Sequence, residues 1–477
     1  MSYETLELLI DGRWRAGSEG KSEPVIEPAT GETLAEVPHA SAADLDEALE
    51  ASAKGFAEWR ATPPLKRQAV MEGAARLLEA RRDAIASNLT REMGKPLAEA
   101  RLELGFAIDV LRWYGEEGKR AYGRIIPPRM PGVRQMAVKE PIGPCVAFVA
   151  WNFPAVNVMR KVAGAVGAGC SIIIKPSEET PATAVAIGRA LTEAGLPAGV
   201  LNIVFGVPDE VSRHLLASPI PKKLSFTGSV PVGKHLAKLA ADTLKRCTME
   251  LGGHAPALVF DDADVDAAAK ALAAHKFRNA GQVCISPTRF LVQERVADRF
   301  TERLVEHAQA MKVGNGLEDG VTMGPLIAER RIPVMEHFVN DAREHGAEML
   351  CGGERLGNAG VFWAPTVLSR VGDDAAIMNE EPFGPLAPVS TFGDVDEALA
   401  RANRLPFGLA AYAFTGSAKT ARALEEGVET GLLAINGVGV SMPETPFGGV
   451  NDSGYGHEGG IEGLEAFQRT RFVSEAV

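Results

Sequence analysis

The sequence predicts an α/β protein built on a parallel, doubly wound sheet, with a second α/β unit behind it and a β-arm to one side. Three observations carry this. Between Pro141 and Phe226, continuous apolar runs alternate with helical segments. After Gly252-Gly253 a second alternation of the same kind begins. Arg124 to Val138 and the tail from Gly463 to Val477 show strand-like patterns with no core partner nearby in sequence.

Taken in order, the chain to about Pro38 reads as short strands with turns at Asp11-Gly12 and at Thr30-Gly31. From Ser41 to about Tyr122 it changes to long amphipathic helices. Ser41 or Asp44 is placed to cap the first, with Leu45, Ala48 and Leu49 on one face. Pro63-Pro64 and Gly94-Lys95-Pro96 break the helical run. Cys145 to Val149, Ser171 to Ile174, Leu201 to Phe205 and Lys223 to Phe226 read as strands buried on both faces. Val158 to Ala168 and Thr183 to Ala194 are the helices between them. In the second unit, Ala257 to Phe260, Thr288 to Gln293 and Leu386 to Val389 are strands, and Asp264 to Arg278 is a helix.

A chain of 477 residues holds two to four domains, and 46% hydrophobic with 23% charged residues is enough to bury sizeable cores. A net charge of -12 disfavours a nucleic-acid or anionic-membrane partner. Five cysteines stand far apart with no Cys-x-x-Cys pair, which argues against a disulfide framework and for a reducing, cytoplasmic location. Nine histidines show no metal-ligand spacing, so no metal site is expected. The N-terminus lacks the pattern of a secretory signal, and no apolar run is long enough to span a bilayer.

The chemistry centres on Phe277-Arg-Asn-Ala-Gly-Gln-Val-Cys284-Ile-Ser-Pro287. A free cysteine is ordinarily a small buried hydrophobe. It becomes a nucleophile only with help, since a thiol titrates near 8.5 and the thiolate does the attacking. Glu250, followed by Leu251 and two glycines, is a carboxylate able to manage a proton or a water. Trp151-Asn152-Phe153-Pro154 follows a strand and offers an amide donor for an oxyanion, or a turn residue. Lys175-Pro176-Ser177-Glu178 lies at the carboxyl end of a strand, where nucleotides bind in such sheets, or is a loop charge pair. Gly228 and Ser229 open a helix after a strand and suit a phosphate, or form a simple turn. Glu380-Glu381-Pro382-Phe383-Gly384-Pro385 sets acids before a tight turn.

Together these motifs, with Pro446-Phe447-Gly448-Gly449 and Ser453-Gly454 behind them, resemble the aldehyde dehydrogenase superfamily in order and spacing from about residue 8 to the end. The resemblance implies a three-part fold. Residues 1–120 and 143–251 would form an NAD-binding domain, 252–435 a catalytic domain, and 121–142 with 450–477 an oligomerisation arm. It implies oxidation of an aldehyde to a carboxylate, with Cys284 as nucleophile, Glu250 as base for hydrolysis and Asn152 at the oxyanion. Lys175, expected to share in catalysis with these three, would also hold the adenine ribose with Glu178. Trp151, Asn152, Ser177, Gly228, Ser229, Leu251, Glu381 and Phe383 would complete the cofactor site. A carboxylate at Glu178 implies NAD in preference to NADP.

Within the superfamily the chain looks most like succinate-semialdehyde dehydrogenases. Arg160, Arg278 and Ser441 match positions that hold the substrate carboxylate there, and arginine presents a planar fork of donors suited to it. Glutarate semialdehyde, 2-oxoglutarate semialdehyde and neutral aldehydes are alternatives. A non-catalytic binding protein is the contrasting class. Many of those relatives have a second cysteine where this chain has Ser286, so a redox-switch disulfide is not expected. A homodimer or homotetramer is expected through the arm.

Overall fold

The computed structural model describes residues 3–477. Its larger sheet has eight strands. The order across it is Arg13–Arg15, Leu8–Ile10, Leu201–Ile203, Ile172–Lys175, Cys145–Phe148, Lys223–Thr227, Arg246–Glu250 and Gly454–Tyr455. The five strands from Leu201–Ile203 to Arg246–Glu250 run parallel. The chain steps outward from Cys145–Phe148 through Ile172–Lys175 to Leu201–Ile203. It then returns to lay Lys223–Thr227 on the other side of Cys145–Phe148. That reversal leaves a crevice beyond Phe148 and Thr227, where open α/β sheets bind ligands.

The second sheet has seven strands. Six are parallel, from Thr366–Ser369 at one side to Leu432–Ile435 at the other, and Glu348–Cys351 is an antiparallel edge. Two apolar cores match the two sheets. One gathers residues between Leu6 and Leu251, joined by Ile327, Leu464 and Phe467; the other runs from Ala255 to Ala434.

Local chemistry explains the element ends. Ser41 caps the helix Ala42–Ala61 in a capping box with Asp44. Proline stands at the start of the helices Pro154–Ala168 and Pro181–Glu193, where its missing N–H costs nothing, so both begin earlier than their apolar pattern suggests. Asp264 caps Val265–Phe277, and Arg278 already lies outside that helix.

The tail departs from expectation in one way. Its final strand, Gln468–Ala476, pairs antiparallel over nine residues with Val133–Pro141 of the same chain, the segment expected to share the arm with it. The stretch from 450, expected in the arm, belongs elsewhere. Val450–Asn451 pairs with Phe407–Gly408, and Gly454–Tyr455 closes the edge of the large sheet against Met249 and Glu250. An alternating pattern marks a strand but does not name a partner more than 300 residues away. Among the described residues no helix is long and apolar enough to cross a membrane.

Candidate active site

A cavity of about 730 Å³ opens at the carboxyl ends of the central strands, between the two sheets. From the first sheet it receives Trp151 and Asn152, then Gly228 and Ser229, then Glu250 and Leu251. From the second unit it receives Arg278, Cys284, Glu381 and Phe383, and Arg160 and Ser441 close it. Lys175, Ser177 and Glu178 stand outside this cavity, one strand further along the sheet.

The loop carrying Cys284 is held in an uncommon shape. Asn279, Ala280 and Gly281 all have left-handed backbones, at φ +50°, +52° and +70°. Each non-glycine residue there costs roughly 1–2 kcal/mol. Gly281 is required twice over, because a Cβ would also lie 2.1 Å from the Gly384 carbonyl oxygen. Hydrogen bonds hold the turn. Asn279 Nδ2 donates to the carbonyls of Asn152 (3.0 Å) and Gln282 (3.2 Å), and Gln282 Oε1 accepts the Ile327 N–H at 2.9 Å. The Asn279 N–H donates to Glu99 Oε2 at 2.9 Å.

Asn152 is fixed in turn. Its Nδ2 donates to the Gln282 carbonyl (3.2 Å), and its Oδ1 accepts from Asn157 (3.2 Å). The amide therefore presents its NH₂ group toward the Cys284 loop. The Asn152 carbonyl also accepts from Lys95 Nζ at 2.8 Å, and Lys95 is ion-paired with buried Glu103. Glu103 accepts the N–H groups of Ala155 and Val156 as well, capping the helix Pro154–Ala168 from a distance.

Cys284 forms part of the cavity wall. Burial, then the Glu381 and Glu250 carboxylates, push its thiol up to about 12, against the pull of Arg160 and Arg278. Both Glu250 oxygens are buried without a hydrogen-bond partner among the described residues. Burial, and then the charge of Glu458, raise the Glu250 carboxyl well above the usual range, while Lys161, Arg160 and Lys223 oppose this. Glu458 is ion-paired with Lys161 at 2.6 Å. Burial lifts Glu381 to about 8, although the Gly253 N–H, Arg331 and Lys276 favour its charged form. Ser286 is buried and bonded within its own turn.

Two guanidiniums reach the cavity. Arg160 donates from Nη2 to Ser441 Oγ at 2.8 Å and lies over the Phe447 ring at 4.2 Å. Arg278 lies over the Phe153 ring at 5.5 Å. Arg160 Nε and Nη1 and Arg278 Nε are buried with no partner, and among the described residues neither side chain forms an ion pair.

The crevice suits a dinucleotide. Ser229 begins the helix Val230–Ala241 without using its side chain as a cap, which leaves first-turn N–H groups for an anion. Gly252 leaves room for Glu381, whose Oε2 would stand 2.4 Å from a Cβ there. Phe383, at φ +44°, meets Trp151 edge-on with ring centroids 5.6 Å apart. Lys175 Nζ is paired with Glu178 at 2.6 Å, and Glu178 also accepts the Gly206 N–H at 2.9 Å.

Sequence reasoning missed Lys95, Glu99, Glu103, Lys161 and Glu458. The available signal was faint: Glu99 and Glu103 are one helical turn apart and so share a face. Nothing in Gly456-His457-Glu458-Gly459 marks a buried acid.

Comparison with known proteins agrees with this geometry. Residues 14–473 match the profile of the aldehyde dehydrogenase family. The chain is 48% identical to a 4-(hydroxymethyl)benzenesulfonate dehydrogenase of Comamonas testosteroni, covering 99% of this chain and 98% of that one. It is 39% identical to an NADP(+) succinate-semialdehyde dehydrogenase of Escherichia coli, covering 98% and 97%. The crystal structure of succinate-semialdehyde dehydrogenase from Burkholderia pseudomallei superposes with a TM-score of 0.98 at 41% identity, covering 99% and 98%. With fold, crevice and sequence in agreement over nearly the whole length, the chain belongs to the aldehyde dehydrogenase family and is an NAD(P)-dependent enzyme acting on a small aldehyde.

Proposed function

We propose that the enzyme oxidises an aldehyde with an anionic tail, succinate semialdehyde being the first candidate, and releases it as the carboxylate. The observation that carries this is the pair of cavity arginines with buried, unpartnered N–H groups and no ion pair. An uncompensated buried charge is costly, and a substrate anion would remove that cost. Ser441, already bonded to Arg160, would add a third donor.

In this reading Cys284 gives up its proton to solvent and adds to the aldehyde carbon as the thiolate. The Asn152 amide and the Cys284 N–H hold the oxyanion. The bound nicotinamide supplies the hydride acceptor, and a thioester on Cys284 remains. Glu250 then takes a proton from a water that adds to the thioester carbonyl. The carbon–sulfur bond breaks and the carboxylate departs. Glu458, a carboxylate ion-paired with Lys161, lies beside Glu250 and can take that proton on. Glu250 also speaks for hydrolysis over transfer to coenzyme A. Glu178, a carboxylate beside Lys175, favours the ribose hydroxyls of NAD over the 2′-phosphate of NADP.

A sulfonate-tailed aldehyde is the second reading, supported by the 48% identity to the benzenesulfonate enzyme. The phenyl rings of Phe153 and Phe447 beside the arginines suit an aromatic body. Both readings share one test. Arg278→Ala is expected to lower kcat/KM for carboxylate- and sulfonate-tailed aldehydes by about 100-fold, as loss of a charged hydrogen bond implies. Neutral aldehydes should change little. Equal losses for both groups would remove the anion-binding role.

The arm supports a homodimer or homotetramer. Gln468–Ala476 is an edge strand, and Ile125 and Phe472 on the arm are 79% and 59% exposed. Light scattering at micromolar concentration is expected to report a dimer or larger; a monomer alone would refute it.

A further inference from the structure

The helix Leu97–Glu117 sits in the first unit, yet Glu99 in its first turn lines the cavity and accepts the Asn279 N–H of the second unit at 2.9 Å. Asn279 opens the left-handed turn that leads to Cys284 and follows Arg278 directly. A single carboxylate thus touches the backbone that aims both the thiol and one of the two free arginines. The groups around it are Lys95, Arg278 and Glu103. Burial raises its carboxyl, and the two cations oppose this. Lys95 is already paired with Glu103, so Arg278 is the cation without an ion pair that faces Glu99.

We propose that Glu99 is a positioning residue that locks the Cys284 loop through Asn279 and, by sharing the charge of Arg278, weakens that arginine's hold on an anionic substrate. The first half is independent of the substrate. The second rests on the anion-binding reading of Arg278. Physically, a turn of three successive left-handed residues persists through the hydrogen bonds that hold it, and Glu99 supplies the acceptor for the Asn279 N–H. The acceptor comes from the other unit, so the loop is set only when the two units are docked. A carboxylate near Arg278 also prevents the site from holding the anionic product too firmly.

Two variants separate the halves. Glu99→Ala removes the acceptor and is expected to lower kcat 10- to 100-fold for neutral and anionic aldehydes alike. Glu99→Gln keeps an oxygen that can accept from Asn279, so it should rescue most of that kcat. It should also lower KM for succinate semialdehyde about 3- to 10-fold without changing KM for a neutral aldehyde. If Glu99→Gln is as slow as Glu99→Ala on neutral aldehydes, or if Glu99→Ala keeps full kcat, the positioning role is overturned. If Glu99→Gln shifts both KM values equally while Arg278→Ala still discriminates by charge, the charge-sharing role is overturned and the anion reading stands. If Arg278→Ala does not discriminate, the anion reading and the charge-sharing role fall together, and the neutral-aldehyde rates still decide the positioning role.

Discussion

Cys284→Ala is expected to lower kcat for every aldehyde by on the order of 10⁵-fold, because no second nucleophile can form the thioester. Of the five cysteines it alone lines the cavity. Cys145, in a central strand of the large sheet, and Cys170 are fully buried. NAD binding should persist in the variant, which separates loss of chemistry from loss of fold. The thiol's environment adds a pH signature. The charged form is the thiolate, and burial with two nearby carboxylates places the thiol at about 12. Below that value the thiolate is the minor form and grows about tenfold per pH unit. Alkylation of Cys284 by iodoacetamide in the cofactor-free enzyme should therefore be slow at pH 7 and rise steadily to pH 10. A rate already at its plateau by pH 8 would show that the thiol is not held up. Retained turnover in Cys284→Ala would remove it from the reaction.

The second large effect is on Glu250. Glu250→Gln keeps the shape of the side chain and removes its ability to take a proton. Steady-state turnover should fall about 10³-fold, within the usual range for losing a general base. The first turnover should differ. Hydride leaves before water attacks, so a rapid burst of about one NADH per site is expected, followed by near silence as the thioester accumulates. Mass spectrometry of the quenched enzyme would find the acyl group on Cys284. The structure favours this role in one respect: both oxygens are unpartnered and the carboxyl is raised, which makes it a stronger base once ionised. If the burst disappears with the steady rate, Glu250 acts on the Cys284 proton before hydride leaves, and hydrolysis is not its distinguishing step.

Much of this architecture was legible in one dimension. Apolar runs such as Cys145–Phe148 and Ile172–Lys175 announce strands buried on both faces, because period and polarity are local properties. The order of strands and helices then restricts the winding to a doubly wound sheet. Asn152 and Gly228 follow such strands and could be placed at the crevice for the same reason, whereas Glu250 and Cys284 were placed there by the family resemblance. The tail was legible as a strand of the same arm as residues 121–142, but not its pairing with Val133–Pro141 within the chain or the register of that pairing. Its earlier portion, which joins two different sheets, was not legible at all.

The supporting charges were the larger omission. Lys95, Glu103, Lys161 and Glu458 look like surface residues in sequence, and they are buried. Burial of a charge is a property of what packs over it, and the covering groups come from segments up to 297 residues away in the Lys161–Glu458 pair. The sequence by itself determined the fold class and the two α/β units, since these follow from periodicity, while the expected reactive side chains came from the resemblance of its motifs to a family. Only the tertiary structure decided that, among the described residues, Arg160 and Arg278 stand without ion pairs, that Glu250 has no hydrogen-bond partner, and that Glu99 accepts the Asn279 N–H. Each depends on which distant groups share a low-dielectric space, where a missing partner changes the charge balance of the whole site.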